Sequence, residues 1–231
     1  MVFFALYGKF GPMQIQISRE TYRTAGVPPG IVIKKLETAP DLDLPFTRGS
    51  FARLLEPEEP ALFLGIQNAN ECIVVQGDVP DPPNLNYLRD AIGLVMYFLD
   101  HGAIAVMDPQ RLRLYDPARW KREMFAPQPP NWLHHSIILA SDEPGGTRWL
   151  HTRGLRKFGR PDLSMHGVAV EEQRGVVELF NRLIVLQAEG ARIAEGQEIA
   201  IDGLQGRLIC QHGGSLEDSN FNNLHVEMRR V

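Results

Sequence analysis

The sequence predicts an α+β protein, with a largely antiparallel sheet or sheets and two long helices packed on one face. Three observations predict it. Short apolar runs bounded by turn residues outnumber long amphipathic segments by about three to one, the ratio of strands backed by a few helices. Only two stretches carry sustained helical spacing. Seventeen prolines and 21 glycines supply the turns between elements, and a composition of 44% hydrophobic and 23% charged residues is ordinary for a folded core.

In chain order, "MVFFALYGKF" reads as the first strand, its apolar run being too short and lacking the preceding basic residue of a secretory leader. "SRETYRTAG" predicts a short helix capped by Ser18. "ALFLGIQ" (61–67) and "ECIVVQG" (71–77) read as strands. In "NLNYLRDAIGLVMYFLDHG", Leu85, Leu88, Ile92, Met96 and Leu99 recur at spacings of three and four, with Asn84 placed to cap the start and Gly102 to close the end. "AIAVMD" is the next strand.

The string "FAPQPPNW" follows. Pro127, Pro129 and Pro130 forbid helix and central strand, so residues 126–130 are expected to be an extended connector between halves at 1–125 and 131–231, or a link within one compact domain. Beyond it, "HSIILASDEPGGTRWLHT" predicts two strands around a Pro-Gly-Gly turn, and "DLSMHGV" another strand. The second long helix is "VEEQRGVVELFNRLIVLQAEG", with Glu171 and Glu172 in the first turn, a Val177, Phe180, Ile184 stripe, and Gly190 at its exit. "QEIAID", "GRLICQH" and "NLHVEMR" complete the strands. Each long helix follows a strand and leads into another, an order that suggests two similar α/β halves.

Charge and cysteine usage narrow the function classes. A net charge of −4 argues against an extended nucleic-acid surface, which draws its affinity from neutralised phosphates. The two cysteines, Cys72 and Cys210, each sit in an apolar run, as buried reduced thiols do. No stretch reaches the roughly 18 apolar residues of a membrane span. A cytoplasmic protein is expected. No G-x-S-x-G, P-loop, G-x-G-x-x-G or H-E-x-x-H pattern is present.

The chemistry concentrates in "HTRGLRKFGRPDLSMHG" (151–167). From Arg148 to Arg160 there are five basic residues and no carboxylate. A strand through 147–153 projects Trp149, His151 and Arg153 from one face. Gly154 and Gly159 bracket a tight "LRKF" loop whose backbone amides can converge with Arg156 and Lys157 on an anion, since guanidinium groups and backbone nests both recognise oxyanions. His151, Arg153, Arg156, Lys157 and Arg160 are therefore the candidate anion- or partner-binding residues. The competing account pairs Arg156 and Arg160 with Asp162, Glu171 or Glu172 around the bend at Pro161. Cys210 with His212, and His225 with Glu227, are the sets from which paired strands can gather a metal, but they lack the short matched spacing of a zinc site, and no metal or other cofactor is expected. Trp120, Phe125 and Trp132 flank the connector and offer anchors for a protein partner.

The string "GLRKFGRPDLSMHGV", the helix after it and the closing "FNNLHVEM" resemble a domain-of-unknown-function group of bacterial proteins, mainly over residues 148–231, with an echo in "LRDAIGLVMYFLDHGAIAVMD". The resemblance implies an α+β fold and an immunity-like or interaction role, and carries over no catalytic residue. The expected function is a non-enzymatic module that binds a partner protein or a small anionic ligand. The alternative is a hydrolase or transferase on a phosphorylated substrate, with Arg153, Arg156 and Lys157 holding phosphate and His151 or His166 as acid or base.

Overall fold

Alternation along the opening apolar run decides the first sheet. In the computed structural model, which describes residues 1–11, 15–38, 44–79, 82–200, 206–218 and 220–231, β1 (Val2–Gly8) is buried along nearly its whole length. It is followed by α1 (Arg19–Tyr22), β2 (Ile31–Glu37), α2 (Gly49–Leu55), α3 (Pro60–Gln67), β3 (Glu71–Gly77), α4 (Asn86–Asp100), β4 (Ala103–Asp108), β5 (Arg113–Tyr115) and α5 (Pro117–Trp120). The sheet runs β2-β3-β1-β4-β5 with every neighbouring pair antiparallel. Ala5, Tyr7, Cys72, Val74, Ala105 and Met107 face a cluster that includes Ala52 and Leu55 of α2 and Phe63 and Ile66 of α3. The alternate residues, Phe4 and Leu6 among them, face the other way, where α4 packs on β1 and β4 and Phe4 meets Trp120 edge-on at 5.2 Å. Helices thus cover both faces.

Residues 61–67, expected as a strand, are helix α3. Pro60 occupies its first turn, where a missing N–H costs nothing, and the buried Phe63 and Ile66 stand three apart on one helical face while Leu64 is exposed. Helix α4 begins at Asn86 with Leu85 in the N-cap position, one residue beyond the Asn84 expected there. Ser18 precedes α1 but its hydroxyl makes no capping bond. Trp120, expected as an exposed anchor, is fully buried against Phe4 and Tyr115.

A second sheet uses β6 (Ile137–Asp142), β7 (Arg148–Arg153), β8 (Asp162–Val168), β9 (Glu198–Ile199), β10 (Leu208–Ser215) and β11 (Asn223–Arg230), in the order β6-β7-β8-β11-β10-β9. The β6–β7 hairpin forms where the Pro-Gly-Gly turn predicts it. Strands β8 and β11 run parallel, and the other neighbouring pairs are antiparallel. Between β8 and β9 comes α6 (Gln173–Ala188), which buries Val176, Leu179, Phe180, Leu183 and Ile184 and packs on β7 and β8. Its stripe is centred on Val176, and Val177 is only half-buried. Glu172 ends just before the helix, accepting from the Ala169 N–H at 3.2 Å and from Arg230 Nη1 at 2.8 Å. Of "QEIAID", only Glu198 and Ile199 form strand, and residues 201–202 lie outside the described residues.

The chain divides into two compact units, residues 1–80 with 85–131, and residues 81–84 with 132–231. The two long helices do not share a face, because α4 serves the first sheet and α6 the second. The strand orders of the two sheets differ, so the similar halves suggested by the sequence are set in different topologies. No described helix is long and apolar enough to cross a membrane.

Candidate functional site

The basic run lies in the second unit, where β7 passes into β8. Gly154 (φ +113°) and Gly159 (φ +66°) take left-handed conformations and bracket a tight 3-10 turn, Leu155–Phe158, whose Leu155 and Phe158 side chains are fully buried. Four amides in and beside this turn already have partners. Lys157 N–H donates to Gly154 O (3.0 Å), Gly159 N–H to Arg156 O (3.1 Å), Arg160 N–H to Leu155 O (3.2 Å), and Leu155 N–H to Asp162 Oδ1 (3.2 Å). These four amides are therefore directed to the fold rather than to a bound anion.

The five candidate side chains separate. Lys157 is fully buried and its Nζ donates to the His135 carbonyl at 3.1 Å, a support for the fold rather than a hand to a ligand. Arg156 Nη1 reaches Asn222, donating to both its backbone O and Oδ1 at 2.8 Å. Arg153 is half-buried with Nε unpartnered among the described residues, and burial lowers its pKa against the pull of Asp162 and Asp218. Asp162 is the polar centre of this corner. It is fully buried, accepts from Thr152 Oγ1 (2.8 Å), Leu155 N–H and Asn223 Nδ2 (2.8 Å), and burial still pushes its carboxyl up to about 6.

His151 belongs to an aromatic ladder across the sheet. Its ring stacks on Trp149 (centroids 4.0 Å apart, 22°) and meets Phe221 edge-on, Trp149 lies parallel to His166 (5.0 Å, 5°), and Phe221 stacks on His225 (4.3 Å, 22°). Only 5% exposed, His151 has its pKa pushed down to about 4, by burial first and by Arg153 second, so its ring is neutral at neutral pH. Trp149 Nε1 donates to Ser164 Oγ (2.9 Å), which donates to Glu227 Oε2 (2.7 Å), while Glu143 receives His166 Nδ1 (2.5 Å) and Gly167 N–H (2.8 Å). The polar edges of Trp149 and His166 are thus tied down by their neighbours, whereas Nδ1 of His151 and of His225 is buried without a partner among the described residues.

Arg160, whose Nη1 donates to the Gly159 carbonyl at 3.1 Å, lines a cavity. This cavity, of about 560 Å3, is lined by Gly159, Arg160 and Pro161 at the entry to β8 and by Arg192 and Ile193 after α6. Strand β10 contributes His212, Gly213 and Gly214, and β11 contributes Leu224 and His225. His212 is braced, its Nε2 2.9 Å from the Ile193 carbonyl and its N–H donating to Glu195 Oε2 (2.6 Å). His225 is directly opposite Gly213 in register, and a Cβ at Gly213 or Gly214 would come within 3.3 or 2.6 Å of its ring nitrogens. Bare backbone at these two positions is what lets the imidazole lie here. Two arginines and two histidines are thus among the residues that line one hollow, with no carboxylate residue among them.

The metal sets considered from sequence do not come together. Cys210 and His212 pair across the ladder with Met228 and Val226, whereas His225 and Glu227 pair with Gly213 and Gln211, so alternation places the two sets on opposite faces. Among the described residues no group of three or more His, Cys, Asp or Glu is arranged to hold a metal ion. Sequence reasoning found Arg160 from the basic run but missed Arg192, which is isolated in "EGARIAEG", and weighed His212 and His225 only as metal ligands. A scan of protein-family models and searches of curated proteins and of solved structures return no match to this chain.

Proposed function

We propose that the second unit is a binding module for a small anionic ligand, seated in the cavity between Arg160, Arg192, His212 and His225. The observation that carries this reading is the lining itself, which includes Arg160, Arg192, His212 and His225 and no carboxylate residue. Guanidinium groups bind oxyanions through paired donors, and a hollow of about 560 Å3 falls within the range of small-molecule sites. The phosphoryl hydrolase or transferase reading asks for His151 or His166 beside the bound phosphate, and neither lines this cavity. Binding therefore ranks above catalysis. The buried thiols of Cys72 and Cys210 suit a reducing compartment, and we place the module in the cytoplasm.

Thermal denaturation of the full chain with inorganic phosphate, pyrophosphate, citrate and nucleotides tests the reading. A ligand at one hundred times its Kd stabilises the folded state by about 2.7 kcal/mol, which raises the melting temperature of the unit that binds it. The expected result is a rise with at least one of these anions that falls with added salt and is lost when Arg160 and Arg192 are both changed to Ala. A flat response to every anion refutes the proposal.

A further inference from the structure

The first unit holds a hollow of its own, where the chain leaving β1 passes the end of α4. It measures about 170 Å3 and is lined by Phe10, Gly11 and Ile15, by Ile73 of β3, and by Tyr97, Phe98 and His101. Phe10, Ile73, Tyr97 and Phe98 are buried residues of the core. Their rings are fixed by one another: Phe10 meets Phe98 edge-on at 6.2 Å, Tyr97 meets Phe98 edge-on at 5.4 Å, and the His101 ring stacks on Tyr97 (4.1 Å, 25°). Backbone holds the two sides together. Lys9 N–H donates to Gly102 O at 3.2 Å, and a Cβ at Gly8 would lie 2.1 Å from that same oxygen, so glycine is required for the approach. Phe10 N–H in turn donates to Glu71 Oε2 at the start of β3.

His101 brings polarity to this apolar wall. Its Nδ1 lies 2.7 Å from the Tyr97 carbonyl, which can only accept, so Nδ1 carries the proton and the neutral ring keeps Nε2 as an acceptor. His101 and Gly11 are exposed while the four core residues are buried, which sets the acceptor on the open side.

From this juxtaposition of packed rings, Ile73 and a single imidazole acceptor, we infer that the hollow binds a compact monocyclic phenol, its ring among Phe10, Ile73 and Phe98 and its hydroxyl donating to His101 Nε2. The site shares no residue with the anion-binding reading, so either can fail without the other. An apolar cavity of about 150 Å3 is enough to take up benzene, so this hollow has room for one ring. A ring without a donor would cover Nε2 and leave its hydrogen bond unmade, a cost that a phenol avoids. Walls already packed in place lose little freedom on binding.

NMR titration of the full chain with phenol and with toluene, ligands of similar size that differ in the donor, tests the inference. Both should shift the Phe98 and His101 amides saturably, and phenol alone should move the His101 Nε2 resonance. His101→Phe, which keeps a ring to stack on Tyr97 at an exposed position, should weaken phenol about fivefold, the scale of one net hydrogen bond, and toluene by less than about twofold. The unliganded melting temperature is the folding control for this variant; if it does not fold, the Nε2 resonance of the unmodified chain decides alone. If toluene loses as much as phenol, or phenol leaves Nε2 unmoved, the phenol assignment is refuted while the aromatic site stands. If neither ligand shifts these amides, the site itself is refuted.

Discussion

Asp162 and His151 should pull the stability of the second unit in opposite directions between about pH 4 and 6.5. Asp162 keeps its proton more tightly when folded, its pKa rising from 3.8 to about 6. Its contribution to stability is therefore fully present below the unfolded value and is lost as pH rises through the folded one. His151 does the reverse: its pKa falls from 6.5 to about 4, so protons bind the unfolded chain better, and its contribution is present above pH 6.5 and lost as pH falls towards 4. At 1.36 kcal/mol for each tenfold change in proton affinity, each displacement amounts to about 3 kcal/mol, and the two nearly cancel. Both groups are almost fully buried, so solvent screening takes little from either. Asp162→Asn keeps an oxygen for Thr152 and Leu155 but turns an amide towards Asn223, a constant cost that does not vary with pH. His151→Phe preserves the stacked ring. Urea unfolding at intervals from pH 4 to 6.5 should show, relative to the unmodified chain, stability climbing by about 3 kcal/mol with pH in Asp162→Asn and dropping by about 3 kcal/mol in His151→Phe. Identical pH slopes in all three proteins would refute the assignment of these shifts to burial.

Lys157→Ala should lower stability by about 2–4 kcal/mol, because it removes a fully buried stem and its bond to the His135 carbonyl, and should leave anion affinity unchanged; urea unfolding and titration calorimetry read the two effects. Arg156→Ala should cost only about 1 kcal/mol, the scale of its bonds to Asn222, in the same unfolding assay. In the first unit, Phe63→Ala should cost about 3–5 kcal/mol by opening a cavity between α3 and the sheet, whereas Leu64→Ala, on the exposed side of the helix, should change stability by under about 0.5 kcal/mol. Equal losses from the two would contradict the helical assignment of 60–67.

Periodicity made the long elements legible. Leu88 and Ile92 are buried in α4 as their spacing predicts, and the β6–β7 hairpin follows from strand-like runs on both sides of Pro144-Gly145-Gly146. Residues 61–67 misled because an unbroken apolar run carries no period, although Pro60 stands in the first turn of the helix. Strand β2 escaped notice because Lys34 and Lys35 interrupt its alternation, as solvated positions on an edge strand can. The site was legible only as a local density of charge. The fate of each charge is set from afar: Arg156 is held by Asn222, Lys157 by His135, and Arg160 acquires its cavity neighbours from β10, β11 and the segment after α6. No spacing rule within 151–167 contains that information.

Strand β11 is inserted between β8 and β10, in the interior of its sheet although it comes after both in sequence. During synthesis β6, β7 and β8 can pair as soon as they emerge, but the edge of β8 stays bare until residues 223–230 have been made. Asp162 then waits for the amide of Asn223, and the ligand hollow for Leu224 and His225. The second unit therefore matures in one late step, during which an open strand edge is exposed to other chains, and slow folding with a dependence on protection from aggregation is the kinetic signature of that arrangement.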